Sequence, residues 1–238
     1  MIGIPSLIKN EPALFVKDRK MLVIGDLHLG KELAMKTSGI HLGNVPEVIS
    51  RRILDLKNRK KATSIAFLGD VKESISYPTN EEMAALRTLF RKVSDTKVVV
   101  AKGNHDAYLE DFTKRFGLDV NIKKEFIFED FALMHGNFIP SKEALEKRHI
   151  IIAHGHAAVN TGIGDEKVWI FAKPGKAAVK RNSKLIIAPA FNDLITGSRI
   201  NANLKKFIPL FNKDVFDFYN AEVYGLDKKR IGIIGDLI

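Results

Sequence analysis

The 238-residue sequence predicts a layered α/β fold. Apolar, β-branched runs of strand length alternate with helical patterns, which favours this class over an all-helical or all-β protein. After about residue 120 the pattern changes to short strands, which indicates a second sheet packed on the first. No Pro-, Gly- or Ser-rich linker and no repeat interrupts the chain, so residues 1–238 are predicted to form a single domain.

Two segments of the first half have helical patterns. Val45 to Arg59 places Pro46 in a first helical turn and carries a broad apolar stripe. Thr79 to Val93 begins with Thr79 and has Glu82 three residues later, the reciprocal capping arrangement that satisfies free backbone N–H groups. Both helices are expected to cover a sheet, whose strands are the apolar runs at 21–24, 65–68 and 98–101. The later strands are expected at 125–129, 131–134, 150–153, 168–171, 185–187 and 231–234.

Polar side chains follow five of these apolar runs directly. They are Asp26 and His28 in GDLH, Asp70 in LGD, Asn104 in GNHD, His135 in MHG, and His154 and His156 in HGH. We therefore expect strand ends to deliver seven metal ligands to one rim of the fold. Asp26 and His28, spaced two residues apart as on a strand, would point to the same side.

The mixture of residue types predicts a dinuclear centre that cuts phosphate esters. A carboxylate can span two cations, whereas imidazole and amide groups bind one each, so a shared Asp can hold two metals about 3.5–4 Å apart. We choose Asp70 as the bridge. A water between two such ions becomes a nucleophile near neutral pH, and the same ions offset charge on the phosphate oxygens. Viewed singly, each of these motifs is typical of a turn or a surface pair.

At these residues the chain resembles the calcineurin-like metallophosphoesterase superfamily, whose pattern runs DxH, GD, GNH[DE], H and GHxH; the match covers roughly residues 21–160. The resemblance implies a four-layer α/β-β/α sandwich of two mixed sheets flanked by helices, with the metals in loops at the sheet ends. One metal would be held by Asp26, His28, Asp70 and His156, and the other by Asp70, Asn104, His135 and His154. His105 would face the scissile phosphate and protonate the leaving oxygen or stabilise the transition state, although a structural His is also compatible with this position.

Three further features refine the resemblance. Ala153 stands where the family usually has Gly, and GDVKES lacks the Arg of the GDxVDRG signature of Ser/Thr protein phosphatases, which disfavours that activity. GDLHLGKE and APAFNDLITG, the latter at 188–197, resemble a prokaryotic branch called ICC-like phosphoesterases, some of which are associated with DNA helicases or ligases. The resemblance therefore implies a possible helicase or ligase partner.

Several residues near the motifs have two interpretations each. Lys72 would touch phosphate or be solvated, and Asp106 would orient a neighbour or have no such role. Trp169 and Phe171 would stack on a base or, for at least one of them, pack in the core. The glycines beside the ligands, Gly25, Gly69, Gly103 and Gly155, fit tight turns with close backbone approach. His41 and His149 are expected to be ordinary polar residues.

Composition narrows the class of protein. The formal charge of +10 favours acidic partners such as nucleic acid or nucleotides, although abundant Lys is also typical of a thermophilic surface. The basic clusters are Lys57 to Lys61, Lys167 to Lys184 and Lys228 to Arg230, and the second would line the substrate path. The absence of cysteine excludes disulfides and thiolate metal sites. No apolar run reaches membrane-span length and no signal peptide begins the chain, so we expect a cytoplasmic protein.

The leading hypothesis is a phosphoesterase with two divalent metals that cuts phosphodiesters in nucleic acid or nucleotides through a metal-bridging hydroxide. Manganese is the first choice of metal, with Fe, Zn, Ni or Mg as alternatives. A nucleotide or small-molecule phosphomonoesterase is the second hypothesis, and a non-catalytic scaffold or helicase partner is the third. DNA, RNA and nucleotide substrates, endo and exo cutting, and any oligomeric state are equally compatible with the motifs.

Overall fold

The computed structural model describes residues 5–39, 42–200 and 208–237. In this part of the chain two mixed β-sheets, one of six strands and one of nine, pack face to face. Helices and short helical turns cover both outer faces. The predicted four-layer sandwich of two mixed sheets flanked by helices is confirmed. His41, expected to be an ordinary polar residue, lies outside the described residues.

The first sheet has the strand order β1-β2-β3-β4-β5-β6, and β3 to β6 run parallel. Its strands are β1 Ser6–Leu7, β2 Ala13–Val16, β3 Met21–Ile24, β4 Ser64–Phe67, β5 Lys97–Ala101 and β6 Val120–Lys123. The second sheet has the order β13-β10-β11-β12-β9-β8-β7, with β14 paired to β11 and β15. Its strands are β7 Glu125–Ile127, β8 Phe131–Met134, β9 His149–Ile152, β10 Ala157–Asn160, β11 Asp165–Pro174, β12 Lys184–Ile187, β13 Ser198–Arg199, β14 Phe216–Gly225 and β15 Arg230–Ile233.

Six helices accompany the sheets in the described residues. They are α1 Lys31–Thr37, α2 Val45–Lys60, α3 Asn80–Lys92, α4 Leu109–Arg115, α5 Lys142–Leu145 and α6 Ile234–Leu237, and short 3-10 turns occupy Lys17–Arg19 and Pro209–Asn212. The two helices predicted from sequence are present. Asn44 caps α2 by accepting a hydrogen bond from the Glu47 backbone N–H, and Pro46 lies in its first turn. At α3 the predicted capping box between Thr79 and Glu82 is formed in both directions.

Three apolar clusters hold the layers together. One lies between the first sheet and helices α2, α3 and α4, another between the two sheets, and the third on the outer face of the second sheet. In β3, Leu22 and Ile24 face the helices, while Met21 and Val23 face the other sheet. Because both faces of the parallel strands are covered, their sequences are continuously apolar, which is why the strands were recognisable as runs.

The long strand β14 carries no such signal in the sequence. Phe216, Phe218, Ala221 and Val223 are buried, but Tyr219 and Asn220 are both exposed, so the alternation changes phase in the middle of the strand. Its partner β11 also has an irregular register between Phe171 and Lys173. A strand that shifts phase has no constant period of two, and pattern analysis does not detect it.

None of the helices in the described ranges combines the length and apolarity needed to cross a membrane.

The capping residue Glu82 is 2% exposed and has a second function. Its carboxylate also accepts hydrogen bonds from Ser74 N at 2.8 Å and Ser74 Oγ at 2.7 Å, so it fixes residues 72–76 to the start of α3.

We predict that Glu82→Ala lowers the free energy of unfolding by about 2–3 kcal/mol, because buried donors lose their acceptor. Chemical denaturation measures this. The exposed neighbour Glu81, changed to Ala, should cost only a few tenths (~0.3 kcal/mol), and equal losses would contradict the assignment.

Candidate metal centre

All seven predicted ligands lie together at one edge of the sandwich. The parallel strands β3, β4 and β5 of the first sheet end at this edge, as do the parallel strands β8 and β9 of the second. Carboxyl ends of parallel strands meet at the same side of a sheet, so the segments that follow them converge. Three groups of side chains in the described ranges could each hold a metal ion. Two of them share Asp70, and the third combines His28 with Glu73 and His105.

The first group consists of Asp26, His28, Asp70 and His156. His28 Nε2 lies 3.2 Å from His156 Nε2 and 3.6 Å from Asp70 Oδ2. His156 Nε2 is in turn 3.6 Å from Asp26 Oδ1. Two imidazole nitrogens and two carboxylates therefore face a common point, which is the donor set of a transition-metal site.

The second group surrounds His135 Nε2. This atom lies 3.2 Å from Asp70 Oδ2, 3.2 Å from Asn104 Oδ1 and 3.0 Å from His154 Nδ1. Asp70 Oδ2 thus approaches a histidine of each group, whereas Asp70 Oδ1 accepts a hydrogen bond from the His105 backbone N–H at 2.9 Å. One carboxylate oxygen stands between the two sets, while the other fixes the orientation of the carboxylate.

The backbone that aims these ligands differs from the expectation. Asp26 and His28 do not lie on a strand, because β3 ends at Ile24. Instead five ligands have left-handed backbone conformations, with φ values of 55° at Asp26, 43° at His28, 48° at Asp70, 63° at His154 and 42° at His156. Such conformations are unfavourable for residues with a Cβ atom, and they persist only where surrounding contacts enforce them. The same-side geometry of the first pair is therefore made by strained turns and not by strand alternation.

Two of the predicted close approaches involve Gly69 and Gly103. A Cβ on Gly69, which has φ of +77°, would lie 2.6 Å from His135 Nδ1. A Cβ on Gly103 would lie against the carboxylate and backbone of Asp70. Glycine at 69 therefore lets His135 of the second sheet approach the first, and glycine at 103 lets two loops of the first sheet meet at Asp70.

Hydrogen bonds behind the ligands orient them. His135 Nδ1 donates to the Leu68 carbonyl at 2.7 Å, so Nε2 is the nitrogen that faces the other ligands. Asp106, which sequence reasoning left with a minor role, is fully buried and accepts from the backbone N–H groups of Val71 and Gly103, both at 2.9 Å. It ties the loop of Asp70 to the loop of Asn104.

The segment after β12 supports the first ligand loop from the other side. Asn192 Nδ2 donates to the Leu27 carbonyl at 2.8 Å, and the Phe191 backbone N–H donates to the Gly25 carbonyl at 3.0 Å. Both residues lie in the APAFNDLITG stretch. The sequence of this stretch indicates only a family resemblance, whereas in the structure the stretch supports the loop of Asp26 and His28.

Ionisation in the metal-free protein reflects the crowding of donors. Burial alone would raise the pKa of Asp70, but the hydrogen bond and charge of His135 hold it well below its usual range. Burial would lower the pKa of His135, yet Asp70 and Asp26 raise it to about 9. Burial, together with the neighbouring His135, lowers the pKa of His154 to about 4. Burial would lower the pKa of His156, but the charge and hydrogen bond of Asp26 raise it above its usual value. The cluster therefore favours protons on His135 and His156, whereas His154 offers a free lone pair.

One observation that does not depend on the sequence motifs supports cation binding by these residues. Asp26 Oδ2 is buried and has no hydrogen-bond partner among the described residues. An unpaired buried carboxylate oxygen is unfavourable, and a cation at this point would satisfy it. Imidazole nitrogens of four histidines and the amide oxygen of Asn104 surround the same region.

His105 lies beside the two groups. Its Nδ1 donates to the Glu73 carbonyl, which can only accept, so Nε2 is left to face the cleft. The cleft has a volume of about 280 Å³ and is lined by His28, Lys31, Glu73, His105, His156 and residues 194–198. His105 is thus in the position expected of a group that meets the substrate.

Sequence reasoning missed Glu73 and Lys31. Glu73 Oε2 accepts from His28 Nδ1 at 2.7 Å, and Glu73 Oε1 accepts from Lys31 Nζ at 2.8 Å. The pairing of β3 with β4 explains how these residues meet. Ile24 pairs with Phe67, and the bridge between Leu29 and Lys72 has the same offset of 43 residues. The two ligand loops therefore run side by side beyond their strands, but only the structure shows that the pairing continues there.

The structure corrects the expectation for Lys72, narrows that for Trp169 and Phe171, and agrees with that for His149. Lys72 is fully buried and donates to the carbonyls of Ser74 and Ser76, so it neither contacts the cleft nor is solvated. Trp169 is fully buried between the sheets, and Phe171 packs against the same cluster, which excludes base stacking by Trp169. His149 is an ordinary structural residue at the start of β9.

The basic segment 167–184 does not line the cleft as expected. Lys167 donates to the carbonyls of Ala190 and Asn192, which makes it a support of the Asn192 segment. Lys173, Lys180 and Arg181 surround a separate groove with Arg148 and Lys184. This groove lies at the amino end of β12, whereas the ligands follow the carboxyl end of its parallel neighbour β9. Strand β11 runs antiparallel to β12 and so carries its basic end away from the metal ligands.

Residues 19–188 match the family model of the calcineurin-like phosphoesterases, and the chain belongs to this family. It is accordingly a hydrolase of phosphate esters, in a family that generally depends on two metal ions. The fold is similar to that of the nuclease MPE from Pseudomonas putida, with a TM-score of 0.66 and 17% identity over 94% of this chain and 97% of that one. The phosphoesterase Yfce from E. coli matches with a TM-score of 0.42 and 14% identity over 89% and 96% of the two chains. No curated protein matched the sequence.

Asp106→Asn tests the tie between the two ligand loops. The amide would turn an N–H group toward a backbone N–H, so we predict a loss of about 1–3 kcal/mol in unfolding free energy and weaker manganese binding. Denaturation and calorimetric titration with Mn²⁺ measure the two effects. The exposed Asp111, changed to Asn, is the matched control. Unchanged stability and affinity in the Asp106 variant would contradict the assignment.

The raised pKa of His135 predicts a pH dependence of stability in the metal-free protein. Its folded value of about 9 exceeds the ordinary value of 6.5, so its stabilising effect is complete below about pH 6.5 and is lost as pH rises through about 9. With chelator present, the stability difference between the wild type and His135→Gln should shrink by roughly 3 kcal/mol from pH 6.5 to pH 9. A difference that stays constant or grows would show that His135 is not a proton carrier.

Proposed function

We propose that the protein is a dinuclear-metal-dependent phosphodiesterase that acts on nucleic acid or nucleotides. The observation that carries this proposal is the pair of ligand groups that share Asp70, with His105 beside them in an open cleft. Asp26, His28, Asp70 and His156 would hold one ion, and Asp70, Asn104, His135 and His154 the other. The whole chain, residues 1–238, would act as one domain.

Manganese is the metal proposed first, with Fe, Zn, Ni or Mg as alternatives, because imidazole-rich sites with oxygen ligands suit transition metals. Bound metals of this kind supply an activated water and neutralise charge that develops on phosphate oxygens. The protein residues supply the rest. Leu68 and Glu73 fix His135 and His28 so that each presents Nε2, and Asp106 keeps the loops of Asp70 and Asn104 together.

His105 would act on the leaving group. Its Nδ1 is occupied by the Glu73 carbonyl, so a proton held at Nε2 is the one available to the departing oxygen. The Asp70 carboxylate accepts the His105 backbone N–H, and this contact places the catalytic imidazole at a fixed distance from the shared ligand. A proton donated at this position lowers the cost of expelling an alkoxide.

A nucleic-acid or nucleotide substrate is supported by charge. The chain has a formal charge of +10, which attracts polyanions, and the protein of similar fold from Pseudomonas putida is a nuclease. A phosphomonoesterase for nucleotides or small molecules is the second candidate. A non-catalytic role beside a DNA helicase or ligase is disfavoured, because all seven ligands are present and converge. A cytoplasmic location and a helicase or ligase partner for the active enzyme remain part of the proposal.

His105→Ala tests the catalytic assignment. We predict that the variant retains two metals per chain but loses at least about 100-fold in kcat on bis-p-nitrophenyl phosphate, the usual scale of general acid catalysis. Metal content is measured by elemental analysis alongside the kinetics. Full activity in a metal-replete variant would remove His105 from the mechanism. Faster hydrolysis of the p-nitrophenyl monoester than of the diester by the wild type would favour the second candidate.

A further inference from the structure

The wall of the cleft carries one lysine and one glutamate in contact. Lys31 stands in the first turn of α1 and Glu73 in the loop after Asp70, and their side chains are 35% and 21% exposed. Lys31 is the only lysine or arginine among the described residues that line the cleft. Their 2.8 Å contact therefore determines which charge the wall presents to a substrate.

Both carboxylate oxygens of Glu73 are occupied. Oε2 accepts a hydrogen bond from His28 Nδ1 at 2.7 Å, and Oε1 accepts one from Lys31 Nζ at 2.8 Å. The loop itself is fixed, since the Glu73 backbone N–H donates to the Leu29 carbonyl at 3.0 Å and the buried Lys72 and Glu82 hold the following residues. The backbone that carries Glu73 is therefore held in place beside Lys31.

The ion pair of Lys31 with Glu73 is relevant to specificity because phosphodiesters and phosphomonoesters differ in charge. A phosphodiester carries one negative charge, whereas a phosphomonoester carries nearly two at neutral pH, since its second pKa is about 6. A free cation beside the metal site would stabilise the additional charge of a monoester more than the single charge of a diester. Along this wall the positive charge of Lys31 is already neutralised by Glu73.

We propose that the Lys31–Glu73 pair is a specificity element that makes the site prefer monoanionic phosphodiesters to dianionic phosphomonoesters. The inference rests on the proposed function and deepens it. Because Glu73 neutralises Lys31, this lysine offers no free positive charge to the second negative charge of a monoester. Loss of Glu73 would free Lys31 to bind that charge, and loss of Lys31 would leave an uncompensated carboxylate that repels it.

The two single variants should shift specificity in opposite directions. We expect Glu73→Gln to lower the ratio of kcat/KM for bis-p-nitrophenyl phosphate over the monoester by about tenfold, and Lys31→Met to raise it by about threefold, for one charge acting across a partly solvated cleft. The double variant should return close to the wild-type ratio. Because both esters are measured on the same enzyme, a general loss of metal or of folded protein cancels in the ratio.

Matched controls come from the same helical segments. Lys36→Met removes an exposed lysine from the other end of α1, and Glu81→Gln removes an exposed carboxylate at the start of α3. Neither residue lines the cleft, so neither variant should change the ratio. Shifts of equal size in the controls would show a general effect of net charge and overturn the proposal. Shifts in the same direction in both cleft variants would also overturn it.

A binding experiment separates this proposal from the proposed function. Calorimetry on the manganese-loaded protein at pH 8 would compare inorganic phosphate, mostly a dianion, with dimethyl phosphate, a monoanion. Glu73→Gln should bind phosphate about tenfold more tightly relative to dimethyl phosphate, and Lys31→Met more weakly, whether or not any ester is hydrolysed. A wild type that hydrolyses neither ester, but shows this binding pattern, would reject the proposed function and support the pair. Active enzyme with unchanged relative binding in both variants would reject the pair alone.

Discussion

The structure depends on the position of one carboxylate, that of Asp70, between two sets of imidazoles. Asp70 Oδ2 approaches His28 from one set and His135 from the other, and these histidines belong to different sheets. The contact is possible only because parallel strands from both sheets end at the same edge and because Gly69 and Gly103 leave no Cβ between the loops. The packing of the layers therefore determines the distances from Asp70 Oδ2 to His28 and His135. The apolar cluster between the sheets sets that separation.

The site is costly to fold without a cation. Five ligands have left-handed backbones, Asp26 Oδ2 has no hydrogen-bond partner within the described ranges, and several histidine nitrogens face one another. The surrounding structure stabilises this arrangement through Asp106, Asn192 and the buried Lys72, all of which bond to the ligand loops or to the segment that carries Glu73. Strain at the centre is thus offset by hydrogen bonding around it. The backbone conformations that orient the ligands for metal binding are thus unfavourable for the stability of the same loops.

The sequence was informative where local chemistry determines structure. The capping box at Thr79 and Glu82, the buried parallel strands and the ligands that follow them could be predicted, because each depends on residues close in sequence. The sequence was uninformative where tertiary pairing decides. Asp26 and His28 adopt turns instead of a strand, Lys72 turns inward to carbonyls, and Glu73 reaches Lys31 only because two loops extend the register of β3 and β4. Strand β14 could not be predicted, because its alternation of buried and exposed residues changes phase. The position of the basic residues near 173–184 depends on the directions of β11 and β12, which only the structure shows.

Electron paramagnetic resonance of the protein loaded with two equivalents of Mn²⁺ would show whether Asp70 joins two metal ions. Two ions that share the Asp70 carboxylate at about 3.5–4 Å are close enough for their spins to couple. We expect an exchange-coupled spectrum in the wild type and the signal of isolated ions in Asp70→Asn. A wild-type spectrum of isolated six-line signals, or binding of a single ion per chain, would contradict this role of Asp70.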